Sequence, residues 1–267
     1  MVVIEMEPEI IADIKRDYLQ GLLGDGKRPD GRGFDEYRPI SVETGVSKKA
    51  EGSALVKIGN TQIMAGIKLA LGEPFSDMPE SGVLTTNIEL IPLASPSFER
   101  GPPDEDTIEI ARVVDRGLRE SKCIDLDKLC ITPKEQVWIV FVDVHVLDYD
   151  GNLFDTSELG AIAALRSTHL PKVEGDSVIY GEPTKQKLPV NDKPIETTFV
   201  KIGDSIFVDP ILDEELAMDA RITVATNAKG EICAMQKGGM GAFKSEEIFD
   251  VLDRARDAGK KLRKHVK

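Results

Sequence analysis

Eleven residues near the start of the chain are nearly repeated close to its end. Residues 54–64 read Ala-Leu-Val-Lys-Ile-Gly-Asn-Thr-Gln-Ile-Met, and residues 198–208 read Thr-Phe-Val-Lys-Ile-Gly-Asp-Ser-Ile-Phe-Val. The shared Val-Lys-Ile-Gly begins at Val56 and again at Val200, 144 residues later. In both copies a β-rich run meets Gly-Asn or Gly-Asp, residues that tolerate positive φ, and continues as a second β-rich run. That is the signature of a two-residue hairpin. The spacing is far longer than the roughly 20–50-residue period of a solenoid. It predicts a domain of two similar halves, each opening with a β-hairpin.

The chain has 267 residues, 41% of them hydrophobic, so it can bury a real core in one large domain or two packed halves. Its net charge of −13 repels nucleic acid and anionic membrane, so any nucleic-acid site must be a local basic patch. Cys123, Cys130 and Cys233 lack C-x-x-C spacing and read as reduced, mostly buried thiols of a cytoplasmic protein. His145, His169 and His265 are too scattered for a metal site, and none is expected. The first nine residues carry acids where a signal peptide needs bases, and no apolar run has the length of a membrane span.

Hydrophobic periodicity places a helix over 8–23, with Ile10, Ile11, Ile14, Tyr18, Leu22 and Leu23 as its apolar stripe. Strands are predicted over 38–44, 52–59, 61–71, 83–92 and 136–148, with a helix from Thr107 to Glu120 and another over 156–169. Asp106-Thr-Ile-Glu109 and Asp155-Thr-Ser-Glu158 read as the capping boxes of those two helices. Strands at 196–202, 205–209, 220–226 and 231–236 and a helix from Ser245 to about Lys264 follow. Strands first and helices later in each half make the fold α+β. The expected units are an N-terminal helix at 1–27, a first half at 28–172, a connector at 173–193 and a second half at 194–267.

The helix at 107–120 carries the one basic face. Arg112, Arg116 and Arg119 are spaced i, i+4, i+7 and fall within about 60° of one another. Ile110, Val114, Gly117 and Leu118 fall on the opposite, core-facing side. Two readings of this stripe stand: a solvated face balanced by Glu105, Glu109 and Asp115, or a surface of guanidinium forks for phosphate oxygens.

Arg28-Pro-Asp-Gly-Arg32 is followed by Glu36-Tyr-Arg-Pro-Ile40, then by Ala111-Arg-Val-Val-Asp-Arg-Gly-Leu-Arg119, Asp148-Tyr-Asp-Gly-Asn152 and Cys233-Ala-Met-Gln-Lys-Gly-Gly239. Together these stretches resemble the ribonuclease PH family. The resemblance covers nearly the whole chain. Ile124-Asp-Leu-Asp-Lys-Leu-Cys130 and Met218-Asp-Ala-Arg221 are similar to the non-catalytic ribonuclease PH-like subunit of the archaeal exosome. The resemblance implies a ribonuclease PH fold, two halves each with a mixed or antiparallel sheet packed by helices. It implies a six-membered ring of three heterodimers with a catalytic partner subunit. It further implies cap subunits with RNA-binding domains on one side, single-stranded RNA in the channel, and Arg112 and Arg116 at that RNA, with Arg119 extending the stripe. Arg100, in the loop before the helix, has no motif behind it.

Active members of that family bind phosphate with a Gly-(Ser/Thr)-Arg loop at a helix N-terminus, where free N–H groups and the helix dipole favour an anion. Here the matching stretch is Asp150-Gly-Asn-Leu-Phe-Asp-Thr-Ser157, with Phe154 near the place of the Arg and Asp155 expected to cap the helix with its own carboxylate. No catalytic residue and no cofactor is therefore expected in this chain. Asp213 and Asp219 do keep the six-residue spacing of a pair of acids found in active relatives. A self-sufficient phosphate-dependent exoribonuclease is accordingly the alternative to an inert subunit.

Overall fold

The structure, a computed structural model, describes residues 8–175 and 177–266, with side chains from Lys15 onward. It opens with helix α1 (Pro8–Gly24). The first half follows as β1 (Ile40–Thr44), β2 (Gly52–Ile58), β3 (Thr61–Gly72), β4 (Val83–Leu90), α2 (Glu105–Glu120), β5 (Cys130–Thr132), β6 (Gln136–Asp148) and α3 (Leu153–Ser167). A two-stranded ribbon, β7 (His169–Glu174) and β8 (Ser177–Lys187), leads to the second half. That half comprises β9 (Ile195–Ile202), β10 (Ser205–Val208), α4 (Leu212–Ala217), β11 (Ala220–Thr226), β12 (Ile232–Gly238) and α5 (Ser245–Leu262).

The repeated sequence forms the same turn twice. Gly59-Asn60 closes β2 onto β3 with Ile58 opposite Thr61, and Gly203-Asp204 closes β9 onto β10 with Ile202 opposite Ser205. Gly59 and Gly203 adopt φ of 59° and 60°, which a Cβ would disfavour. Around the first hairpin grows a mixed sheet of order β1-β2-β3-β6-β4, in which only the β4–β6 pair is parallel and β5 adds to β6. Around the second grows an antiparallel sheet of order β10-β9-β11-β12.

Helices α2 and α3 lie between the two sheets. Helix α3 packs on β2 and β3 on one side and on β9 on the other, and α2 packs on β4, α3 and β12. Sandwiching explains why residues 153–165 of α3 are buried on every face. The outer face of the first sheet is more open, so β3 alternates buried and half-buried residues along its length. The second sheet is covered again by α5, and β9 and β11 are buried at every position. Phe199, Val208, Ile222 and Val224 of that sheet meet Val251 and Ala255 of α5.

Some elements differ from the sequence reading. Leu19 and Leu23 carry the core contact of α1, against Val200, Ile202, Phe207 and Ala217, whereas Tyr18 is 65% exposed. The side chains of Ile10, Ile11 and Ile14 lie outside the described residues. The stretch 173–193 carries β8, and α4 stands where no helix was expected. Of the three thiols only Cys123 is buried.

Candidate functional site

Helix α2 begins two residues earlier than its periodicity suggests, because Asp104 supplies the cap. Asp104 Oδ1 accepts from Thr107 N at 2.8 Å, satisfying one of the free N–H groups of the first turn. Ile110, Val113, Val114, Gly117 and Leu118 are buried beneath it, as the apolar stripe requires. The opposite face borders a groove of about 410 Å³ between α2 and β12, lined by Glu105, Ile108, Glu109, Arg112, Val113, Arg116 and Gln236.

The three arginines of the stripe part company here. Arg119 leans toward the first sheet, bonding Asp115 at 3.0 Å and the carbonyl of Leu84 at 2.9 Å. Arg116 leans toward the second sheet, its Nη1 donating to Gln236 Oε1 at 3.2 Å and its Nη2 to the carbonyl of Met235 at 2.9 Å. Arg112 is exposed and makes no hydrogen bond or ion pair among the described residues. Of the acids expected to balance the stripe, Asp115 pairs with Arg119. Glu109 is instead taken by Arg221 of β11, whose Nη2 donates to it at 2.7 Å. Arg112 and Arg116 thus line the groove, which Glu105 and Glu109 share, without an ion pair to a carboxylate among the described residues.

A second cluster surrounds the start of α3, the stretch that matches the phosphate-binding loop in the sequence reading. Gly151 and Asn152 both have positive φ, 85° and 60°, which turns the chain sharply into the helix. The N–H of Asn152 donates to Glu215 Oε1 at 2.7 Å, and Tyr149 Oη donates to Glu215 Oε2 at 2.7 Å. The carboxylate at this turn is therefore that of Glu215 from α4. Asp155, expected as the cap, points inward and accepts from Tyr37 Oη at 2.7 Å, Asn152 Nδ2 at 3.0 Å and Thr198 Oγ1 at 2.7 Å. Burial pushes its carboxyl up to about 6, against the pull of those bonds. Phe154 is buried, with the guanidinium of Arg221 lying 4.0 Å from its ring centroid.

The arginines of the Arg28-Pro-Asp-Gly-Arg32 segment, together with Arg38, form ion pairs between the halves. Arg28 pairs with Glu214 at 2.6 Å, both side chains fully buried. Arg38 grips Asp209 with two donors, at 2.9 and 2.7 Å, and Arg32 adds a third bond at 2.8 Å. Burial alone would raise the Asp209 carboxyl, but the bonds and charge of Arg38 outweigh it and hold the group below its ordinary range. Asp213 and Asp219 also serve the framework. Asp213 pairs with Lys15 at 2.7 Å, and Asp219 bonds Arg16 and the N–H of Gly203.

Among the described residues no group of three or more His, Cys, Asp or Glu side chains could hold a metal ion. Arg100 lies on a separate groove of about 660 Å³ between the end of β4 and the loop that precedes α2. Gln236, Glu109, Arg221 and Glu215 escaped the sequence reading as site residues. Gln236 lies within Cys233–Gly239, but its partner on α2 is 120 residues away.

Residues 36–171 match domain 1 of the 3′ exoribonuclease family and residues 192–258 match its domain 2. The exosome complex component Rrp42 of Thermococcus kodakarensis is 55% identical over 265 residues, covering 97% of each chain. That of Methanocella arvoryzae is 54% identical over 261 residues, covering 98% of each. Among solved structures, a chain of the Archaeoglobus fulgidus exosome with RNA bound to the active site superposes with a TM-score of 0.91 at 48% identity. The match covers 97% of this chain and all of that one. A chain of an archaeal exosome core superposes with a TM-score of 0.87 at 43% identity, over 98% of this chain and 100% of that one.

Proposed function

The chain belongs to the 3′ exoribonuclease family, and we propose that it is the non-catalytic ribonuclease PH-like subunit of an exosome, a ring that degrades RNA from its 3′ end by phosphorolysis. It pairs with a catalytic ribonuclease PH-like subunit as a trimer of heterodimers, beneath cap subunits that carry RNA-binding domains. Its part is to shape the partner's active site and to hold single-stranded RNA there by its phosphates. The observation that carries this reading is the groove in which Arg112 and Arg116 stand without an ion-paired carboxylate among the described residues, on a chain of net charge −13. Guanidinium forks match phosphate oxygens, and a local pair of them overcomes the repulsion of an acidic surface at short range. Catalytic inactivity is supported by the α3 turn. Glu215 occupies the Asn152 N–H, and Phe154, near the place that the family resemblance gives to a phosphate-binding arginine, is buried. We place the assembly in the cytoplasm; no described helix is long and apolar enough to cross a membrane.

The test is phosphate-dependent release of nucleoside diphosphates from single-stranded RNA, assayed for this chain alone, for the catalytic partner alone and for the mixture. The chain alone should be inert, and the mixture should form a six-subunit ring that degrades RNA. Robust phosphorolysis by the chain alone would overturn the reading and establish the self-sufficient enzyme instead.

A further inference from the structure

We infer that Gln236 is a positioning residue for RNA, holding the Arg116 guanidinium in the orientation that meets a phosphate. The inference rests on the RNA-binding reading of the α2 groove and extends it to β12.

An exposed arginine has four rotatable side-chain torsions, and ordering such a side chain on binding costs about three- to tenfold in affinity. Arg116 is ordered before any ligand arrives. Gln236 Oε1 takes one proton of Nη1 and the carbonyl of Met235 takes one of Nη2. A guanidinium has five N–H donors, so three remain for a phosphate. The Met235 contact is made by backbone and is indifferent to side-chain identity. The Gln236 contact needs the amide to present its oxygen to Arg116.

That orientation has its own support. Gln236 Nε2 points to Glu109 Oε1 at 3.4 Å, a long contact that favours nitrogen on that side. Glu109 Oε1 is in turn held by Arg221 Nη2 at 2.7 Å, and Arg221 is itself braced over the ring of Phe154 at 4.0 Å. A connected row therefore runs Phe154, Arg221, Glu109, Gln236, Arg116, linking α3, β11, α2 and β12. Glu109 serves it twice. It fixes the Gln236 amide, and its charge is drawn to Arg221 and so kept from tying down Arg116. Arg112, on the same groove, has no such brace among the described residues.

The experiment uses the ring assembled with the catalytic partner and a fluorescent single-stranded oligoadenylate as probe. Four rings are compared: unmutated, Gln236→Ala, Arg116→Ala and the double variant, with Gln236→Leu as a control that keeps the side-chain volume. Gln236→Ala and Gln236→Leu should each weaken RNA binding about three- to tenfold, the fold-change corresponding to one side chain left unordered. Each should raise KM for RNA and leave kcat unchanged. On the Arg116→Ala background, Gln236→Ala should change nothing further, since there is then no guanidinium to orient. Assembly and melting temperature should be unchanged throughout, because Gln236 is only half-buried on an outer strand. If Arg116→Ala weakens binding while Gln236→Ala has no effect, or has the same effect with and without Arg116, the inference fails and the groove reading stands. If Arg116→Ala leaves affinity untouched, the groove reading fails and takes the inference with it.

Discussion

Replacing Glu158 by Gln should stabilise the protein, and increasingly so as the pH rises. Glu158 of α3 and Glu196 of β9 are 0% and 1% exposed, and none of their four carboxyl oxygens has a hydrogen-bond partner among the described residues. Both face Gly117 of α2, where an added Cβ would lie 3.0 Å from Glu158 Oε1 and 3.1 Å from Glu196 Oε1. Burial raises the Glu158 carboxyl well above its ordinary range, and the charges of Glu196, Asp115 and Asp155 push it further. Burial and Asp155 raise that of Glu196 likewise, with Arg116 and Arg221 pulling the other way. Two such acids side by side favour holding a proton in the folded state that the unfolded chain gives up. The unfolded chain releases that proton above its ordinary value of 4.5, so the folded state binds more protons than the unfolded one. Stability is then greatest below that value and falls as pH rises, by up to about 1.4 kcal/mol per pH unit for each proton retained.

Gln has nearly the same shape and carries no titratable proton to lose. The variant should match the unmutated chain near pH 4.5. By pH 8 it should exceed it by at least about 1 kcal/mol, or roughly 2–4 °C in melting midpoint. Denaturant unfolding of both chains from pH 4.5 to 8.5 measures the difference, and subtraction removes the titration of groups that do not interact with Glu158, leaving that of the Glu158–Glu196 pair. A constant difference across that range, or a variant less stable throughout, would refute the shared-proton reasoning.

Asp209→Asn should cost about 3–5 kcal/mol in denaturant unfolding, because it leaves the buried guanidinium of Arg38 with only the longer 3.7 Å pair to Asp150. Since the Asp209 carboxyl is held low, the stability it provides is present above its ordinary value of 3.8 and is lost only as acid reaches the lower folded value. Arg119→Ala, which removes a partly exposed ion pair with Asp115, should cost at most about 1 kcal/mol in the same assay. It should leave the RNA affinity of the ring unchanged, in contrast to the groove arginines.

What could be read from the chain was what local sequence encodes. The Gly-Asn and Gly-Asp turns, the long β6 run and the buried side of α2 all follow from periodicity and turn chemistry over a dozen residues. What could not be read depends on partners far away in sequence. Asp155 has the spacing of a helix cap, yet it bonds Tyr37 and Thr198, 118 and 43 residues distant, so its carboxylate turns inward. Glu215 could not be placed at the α3 turn before α4 was seen to fold against it. The arginine stripe looked uniform because helical spacing places side chains on a face but says nothing of what flanks it. The first sheet takes Arg119 and the second takes Arg116. The β7–β8 ribbon was hidden by its Pro, Gly and Lys content, since exposed paired strands need backbone bonds more than an apolar pattern.

The most direct test of the RNA-binding role is the affinity of the assembled ring for single-stranded RNA, with both Arg112 and Arg116 changed to Glu, measured across salt concentrations. Sedimentation should first show that the variant ring assembles normally. The expected result is a loss of affinity of at least about tenfold, from two charge-assisted contacts replaced by repulsion. The dependence of log affinity on log salt should become shallower by about 1.4, as two fewer phosphates are neutralised. A normally assembled ring whose affinity and salt dependence both match the unmutated one would contradict the role and leave the two arginines as a solvated face.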